Sequence, residues 1–131
     1  MVEVVKYSAT GRRKTSIARV TMTPGTGKIA INGRGFENYF PRETDRILVL
    51  APLRHTNLLN KFDFEVSAVG GGMTGQAGAL RLALSRALVL FDTNTKSTLR
   101  KNVCLTRDSR MKERKKPGQK GARRKFQWVK R

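Results

Sequence analysis

Residues 62–91 read FDFEVSAVGGGMTGQAGALRLALSRALVLF, and the change of period across the three glycines sets the architecture. From Phe62 to Val69 the side chains alternate, with Phe62, Phe64, Val66 and Ala68 on one face and Asp63, Glu65 and Ser67 on the other. That is the pattern of a strand with one covered face. Beyond the glycines, Ala77, Leu80, Leu84, Ala87, Leu88 and Phe91 recur at i, i+3, i+7, i+10, i+11 and i+14. This is a helical stripe, with Arg86 opposite and Arg81 and Ser85 at its margin. Leu82, Val89 and Leu90 lie off the stripe and are also apolar, so the helix is expected to be buried on more than one side. The two elements predict a helix laid across a sheet at the centre of one core.

Upstream, Lys14 to Thr23 alternates more loosely and ends in Pro24-Gly25-Thr26-Gly27, a strand entering a tight turn. Lys28 to Asn32 follows with Ile29 and Ile31 on one face, which predicts the return strand of a hairpin. Phe36, Tyr39 and Phe40 predict one helical turn against the sheet, stopped by Pro41. Arg42 to Leu50 reads as a short helix closed by Pro52, and Thr56 to Lys61 as a further turn or two. After a break at Asp92–Thr95, Lys96 to Lys101 reads as helical, and Val103-Cys104-Leu105 as an edge strand. Together these segments give an α+β fold of two layers, with no internal repeat.

The chain has 131 residues, with 28 Lys or Arg against nine Asp or Glu and a formal net charge of +19. Residues 106–131 hold 12 of those cations and two acids, with no apolar periodicity, so they cannot bury enough surface to offset their own ordering entropy. The division expected is a globular core over 1–105 and an extended basic tail over 106–131. Residues 1–105 still carry a net charge of +9. A surplus spread over both parts implies a polyanionic partner. An anionic membrane fits poorly, because the tail has no amphipathic stripe, no lipidation signal and no apolar stretch near 18 residues. The N-terminal stretch shows no secretory signal pattern, and a cytosolic chain is expected.

Cys104 is the single cysteine and His55 the single histidine, which excludes disulfides and Cys/His zinc sites and leaves nucleophilic catalysis little to use. Cys104 reads as a small buried apolar residue and His55, with no acid nearby in sequence, as a surface side chain. Neither metal nor cofactor is expected. Gly70-Gly71-Gly72-Met73-Thr74-Gly75 matches G-x-G-x-x-G between a strand and a helix, but Gln76 and Ala77 stand where a Walker loop needs Lys and Ser/Thr. Three readings stay open for this loop: a nucleotide site, a purely structural turn, or backbone amides around Gly71, Gly72, Thr74 and Gln76 gripping an RNA phosphate, assisted by Arg81 or Arg86. Gly11-Arg12-Arg13-Lys14 places three cations at a strand mouth, able to clamp a phosphate backbone that Gly11 would let approach closely. In the tail, Arg107, Arg110, Arg114, Lys115, Lys116, Arg123, Arg124 and Lys125 are candidate phosphate contacts. Phe126 and Trp128 alternate with Lys125, Gln127 and Val129, which suits rings that stack on bases or, alternatively, cation-to-ring contacts within the tail. Fully extended, 26 residues reach about 85–95 Å.

Taken together these residues resemble the family of the ninth protein of the small ribosomal subunit. The resemblance is carried by Gly11-Arg12-Arg13-Lys14 with Ser16, Ala18, Arg19 and Val20. It continues through Pro24-Gly25, Gly27, Ile31-Asn32 and Tyr39-Phe40, then Gly70 to Ala79 with Arg81, Arg86, Ala87 and Leu88. Last come Thr106-Arg107-Asp108, Arg110, Glu113 to Lys116, Gly118, Ala122 to Arg124 and Lys130-Arg131. It covers the chain from about Lys6 onward.

The resemblance implies a two-layer sandwich with a mainly antiparallel four-stranded sheet, helices on one face and a left-handed βαβ crossover, like the second domain of the fifth small-subunit ribosomal protein. It implies a non-enzymatic place in the small-subunit head of a cytoplasmic or organellar ribosome, bound to ribosomal RNA beside neighbouring head proteins. The tail would reach the anticodon stem-loop of peptidyl-site transfer RNA, where Lys130 and Arg131 meet phosphate. The family often ends Phe-Ser-Lys-Arg, whereas Trp128 and Val129 precede Lys130 in this sequence, so the cations and an aromatic ring are kept and a hydroxyl is lost. Some small-molecule kinases share the broad fold and a glycine-rich loop, and a nucleotide-using enzyme is the alternative reading. A nonspecific DNA-compacting protein would fit the charge but leaves the core and glycine loop without a purpose.

Overall fold

The computed structural model describes residues 6–58, 60–102, 104–107 and 117. Five strands and four helices follow in the order β1 (Tyr7–Arg13), β2 (Ser16–Pro24), β3 (Ile29–Ile31), β4 (Arg34–Gly35), α1 (Phe36–Tyr39), α2 (Glu43–His55), β5 (Phe62–Val69), α3 (Met73–Phe91) and α4 (Thr95–Lys101). The α+β reading holds. The sheet is mixed and five-stranded, in the order β1-β2-β5-β3-β4, rather than four-stranded. Its pairs are antiparallel except β3 with β5, which run parallel and are joined through α1 and α2.

β5 is the strand that the alternation predicts, with Phe62, Phe64, Val66 and Ala68 buried. Its register sets Phe64 against Met22, Val66 against Val20 and Ala68 against Ala18, so two strands pave one apolar face. The expected hairpin of β2 and β3 does not form as a neighbouring pair, because β5 lies between them. The chain from Gly25 to Lys28 instead steps over the start of β5, across two strand spacings of about 4.8 Å each. Asp63 at that start holds the step, its Oδ1 accepting hydrogen bonds from the amides of Thr26, Gly27 and Lys28 at 3.0, 3.1 and 3.0 Å.

β2 forms its true hairpin with β1, around Lys14 and Thr15, and Lys14 takes the positive φ of 53° that the tight turn needs. β1 has no apolar alternation to announce it. Its inward row is Tyr7, Ala9, Gly11 and Arg13, opposite Met22, Val20, Ala18 and Ser16. Gly11 is buried against α3, where an added Cβ would overlap the carbonyl of Ala79 and lie 2.5 Å from the amide of Ala83. Its lack of a side chain serves strand-to-helix contact, not the approach of a phosphate.

α3 starts at Met73, four residues before its apolar stripe, and packs against β1, β2 and α2. Leu80, Ala83, Leu84, Ala87 and Leu88 are fully buried, and Leu82 and Ser85 are buried too, with Ser85 Oγ donating to the Arg81 carbonyl at 2.8 Å. Burial on more than one side thus holds at Leu82 but not at Leu90, which stands 58% exposed. α1 is the predicted single turn, carrying Tyr39 and then Phe40 into the core.

α2 runs through Pro52 to His55 instead of ending before the proline. The ring costs one helix hydrogen bond, that of the Leu48 carbonyl. It is fully buried beside Val49 and Leu53, and its apolar contact offsets that loss. The described part of Thr56–Lys61 forms turns rather than a helix, with Asn57 and Asn60 at φ 56° and 66°. α4 forms as predicted. Cys104 and Leu105 add no strand, because the Cys104 amide is already bonded to the Leu99 carbonyl at the end of α4, 2.9 Å away.

Candidate nucleic-acid interface

At the end of β5 the glycine loop is fixed by the side chains of Asn32, Tyr39, Gln76 and Ser16. Asn32, at the end of β3, pairs its side-chain amide with the Ala68 backbone, donating to the carbonyl at 2.8 Å and accepting from the amide at 3.0 Å. It extends the ladder where β3 has run out. Its Nδ2 also lies 3.5 Å from the Tyr39 hydroxyl, which in turn donates to Gln76 Oε1. The other end of the Gln76 amide donates to the Gly70 carbonyl at 3.0 Å, and Ser16 Oγ donates to the same oxygen at 3.2 Å. Gln76 is therefore a clamp of this loop, with both ends of its side chain engaged.

Gly70 and Gly71 adopt φ of 75° and 61°, which explains them structurally. Gly72 is different. It caps α3 in extended backbone that any residue adopts, and a Cβ there would meet nothing within 4 Å. Neither packing nor conformation demands glycine at this exposed corner, in front of the first amides of α3, which no side chain caps. Thr74 is exposed beside it, and its carbonyl receives Arg13 Nη1 at 3.5 Å. Gly78 gives that arginine room, because a Cβ would strike its Cδ.

From this corner a line of cations runs along the flank of α3 and the free edge of β1. Arg12, Arg13 and Arg81 border a cleft with Gly78, Leu82 and Thr106. Arg12 also borders the next hollow, with Arg86, Arg107 and Thr10. Arg86 and Thr10 continue into a larger groove rimmed by Lys96 and Arg100. Arg86 is anchored there by Nη1 donating to the Thr10 carbonyl at 2.6 Å, across the strand edge. Among the described residues, seven cations and no acidic side chain line the three hollows, which share lining residues.

Arg12, Arg13, Arg81 and Arg107 of the sequence-based candidates thus share one track, while Gly71, Gly72, Thr74 and Gln76 gather at its glycine-loop end. Lys14 is exposed at the β1–β2 turn. Arg110, Arg114, Lys115, Lys116, Arg123, Arg124, Lys125, Trp128, Lys130 and Arg131 lie outside the described residues. Lys96 and Arg100 are additions. Their i, i+4 spacing puts two like charges on one face of α4, which works against helix stability and is the signal that could have found them.

The dinucleotide reading lacks its second half. α3 leads into α4 rather than into a strand, and Asp92, the first acid after the loop, accepts the Asn94 amide with Oδ1 at 2.9 Å. Burial pushes the Cys104 thiol up, against the opposing pull of Arg81, so it is no ready nucleophile. His55 is exposed in the last turn of α2. No helix among the described residues is long and apolar enough to cross a membrane.

Fold and track together define a small α+β protein whose described residues form a cationic surface without acids, of the kind that neutralises a polyanion. Comparison with known proteins makes this specific. A family model described as ribosomal protein S9/S16 matches residues 11–131. The chain is also 53% identical over 123 residues to the small ribosomal subunit protein uS9 of Maridesulfovibrio salexigens, an alignment covering 94% of this chain and 95% of that one. The chain belongs to the ribosomal protein S9/S16 family.

Proposed function

We propose that the chain is a non-enzymatic structural constituent of the small ribosomal subunit that binds ribosomal RNA in the subunit head. The observation that carries this reading is the acid-free track of Arg12, Arg13, Arg81, Arg107, Arg86, Lys96 and Arg100. Guanidinium and ammonium groups along one flank neutralise successive phosphates, and the glycine-loop corner adds amides of Gly72, Met73 and Thr74 that point outward from the start of α3. Arg13 and Lys14 stand beside that corner, so one RNA strand can follow the flank and end at the loop. Gln76 orients the loop.

The rest of the reading comes from kinship. Residues 106–131 form the basic arm, which starts at the track with Thr106 and Arg107 and carries Arg110, Arg114, Lys115, Lys116, Arg123, Arg124 and Lys125 to ribosomal RNA. The tip, Lys130 and Arg131 with Trp128, reaches peptidyl-site transfer RNA, and neighbouring head proteins flank the core. The crossover from β3 to β5 has the family's left-handed sense.

Filter binding of the chain to small-subunit head RNA tests this between about 50 and 200 mM salt. Affinity falls linearly on logarithmic axes with a slope of several units if several phosphates are neutralised, about 0.7–0.9 for each. Salt-independent binding that ATP displaces overturns the reading in favour of a nucleotide enzyme. Equal affinity for duplex DNA overturns it in favour of nonspecific compaction.

A further inference from the structure

The groove at the far end of the cationic track has a different composition from the rest. Between β1, the last turns of α3 and α4 lies a space of about 680 Å³, within the range of sites that hold small organic ligands. Its floor is apolar, made of Val89, Leu90 and Leu105, and its rim carries Arg86, Lys96 and Arg100. Leu90 is the most exposed large hydrophobic side chain among the described residues. A duplex backbone would engage the rim and leave the floor uncovered. An unpaired nucleotide matches both parts, since its base and ribose present apolar faces while the phosphates on either side reach the cations.

We infer that this groove receives an unstacked nucleotide of the bound RNA. Charge disfavours the chain's own tail as occupant, because residues 106–131 carry a net charge of +10 and the groove's described lining holds Arg86, Lys96 and Arg100 and no acid. An acidic segment of a partner protein would satisfy the rim and floor, but RNA is favoured by continuity. Arg86 and Thr10 line both this groove and the adjoining hollow that holds Arg12 and Arg107, so a strand lying on the track enters the groove without a break. Ser8, Thr10 and Thr106 also line the groove. This inference rests on the RNA-binding reading and adds the kind of nucleotide bound.

Apolar contact releases no counterions, so floor and rim are separable in one assay. With small-subunit head RNA, Leu90→Ser lowers affinity about threefold to tenfold at every salt concentration and leaves the slope unchanged. Lys96→Gln and Arg100→Gln each reduce the slope by about 0.7–0.9. A benzophenone side chain placed at position 90, irradiated in the assembled subunit, cross-links to a nucleotide that chemical probing marks as unpaired. Unchanged binding of Leu90→Ser, or cross-links only to paired nucleotides or only to a neighbouring protein, overturns the inference. Absence of salt-dependent binding by the unaltered chain defeats the RNA reading itself, and the two failures are distinct. Thermal melting of Leu90→Ser, expected to match the parent because the residue is exposed, guards against misfolding.

Discussion

Gly72 separates the demands of folding from those of binding. Serine is a better helix N-cap than glycine, since its hydroxyl can accept a hydrogen bond from one of the first free amides of α3. Nothing within 4 Å obstructs its Cβ. Gly72→Ser is expected to hold or raise the melting temperature while weakening RNA binding, because the hydroxyl occupies the amides and the space in front of them. A variant that melts as expected and binds RNA as well as the parent would remove this corner from the interface. Asp63 shows the opposite case, a polar residue serving the fold alone. Its three amide partners, Lys28 foremost, hold its carboxyl below the ordinary value of 3.8 against the weaker upward push of burial. A depressed folded pKa means a contribution that is whole above about pH 4 and is lost as pH falls below it, through the folded value. The melting-temperature gap between the parent and Asp63→Asn should therefore stay constant from about pH 7 to 5 and narrow below about pH 4. Neither Asp63, Asn32 nor Gln76 announces its role in the sequence. Each bonds a partner at least 35 residues away or through a hydroxyl on another element, and local pattern carries no information about that.

Among the elements, β5 and α3 are legible because each repeats its own period for two or more cycles, with buried side chains wide enough to mark the face. β1 is not. Half of its inward row is Gly11 and Arg13, chosen by the nearness of α3 rather than by the need to bury area. The hairpin expected of β2 and β3 fails for a related reason, since turn chemistry at Pro24-Gly25 reports reversal of direction and not which strand fills the gap. The two strands do run in opposite directions, but they are not adjacent. The packing of β1 on α3 gives the element-scale prediction. Gly11→Ala forces the Cβ onto the Ala79 carbonyl, and backbone on both sides cannot yield, so it should cost about 1–3 kcal/mol or more in denaturant unfolding. Leu88→Ala, a cavity in the middle of α3, should cost about 2–5 kcal/mol. A Gly11→Ala protein as stable as its parent would mean that β1 does not lie directly against the helix.

At the scale of the whole molecule, cation placement and core placement are nearly complementary. Every buried apolar side chain among the described residues lies at or before Cys104, whereas 11 of the 28 cations fall after residue 107. The track on the core could be read only in part from sequence. Arg12, Arg13 and Arg81 stand in recognisable motifs, but Lys96 and Arg100 join them only because α4 folds back beside β1. Stability and affinity should therefore respond differently to truncation. A chain ending at Arg107 keeps the described core and the track, and should melt within a few degrees of the full chain, since distant surface changes alter stability little. Its affinity for head RNA should drop, with a salt slope reduced by about 0.7–0.9 for each phosphate that the tail no longer neutralises, yet a slope of several units should survive from the seven cations of the track. The deletion of Lys130 and Arg131 alone should barely move that slope while weakening retention of transfer RNA at the peptidyl site of reconstituted subunits. A truncated chain whose binding no longer depends on salt would place the whole RNA interaction in the arm and leave the acid-free flank of α3 without a function. Loss of folding in that chain would mean instead that core and arm are one cooperative unit, held together by residues beyond Arg107.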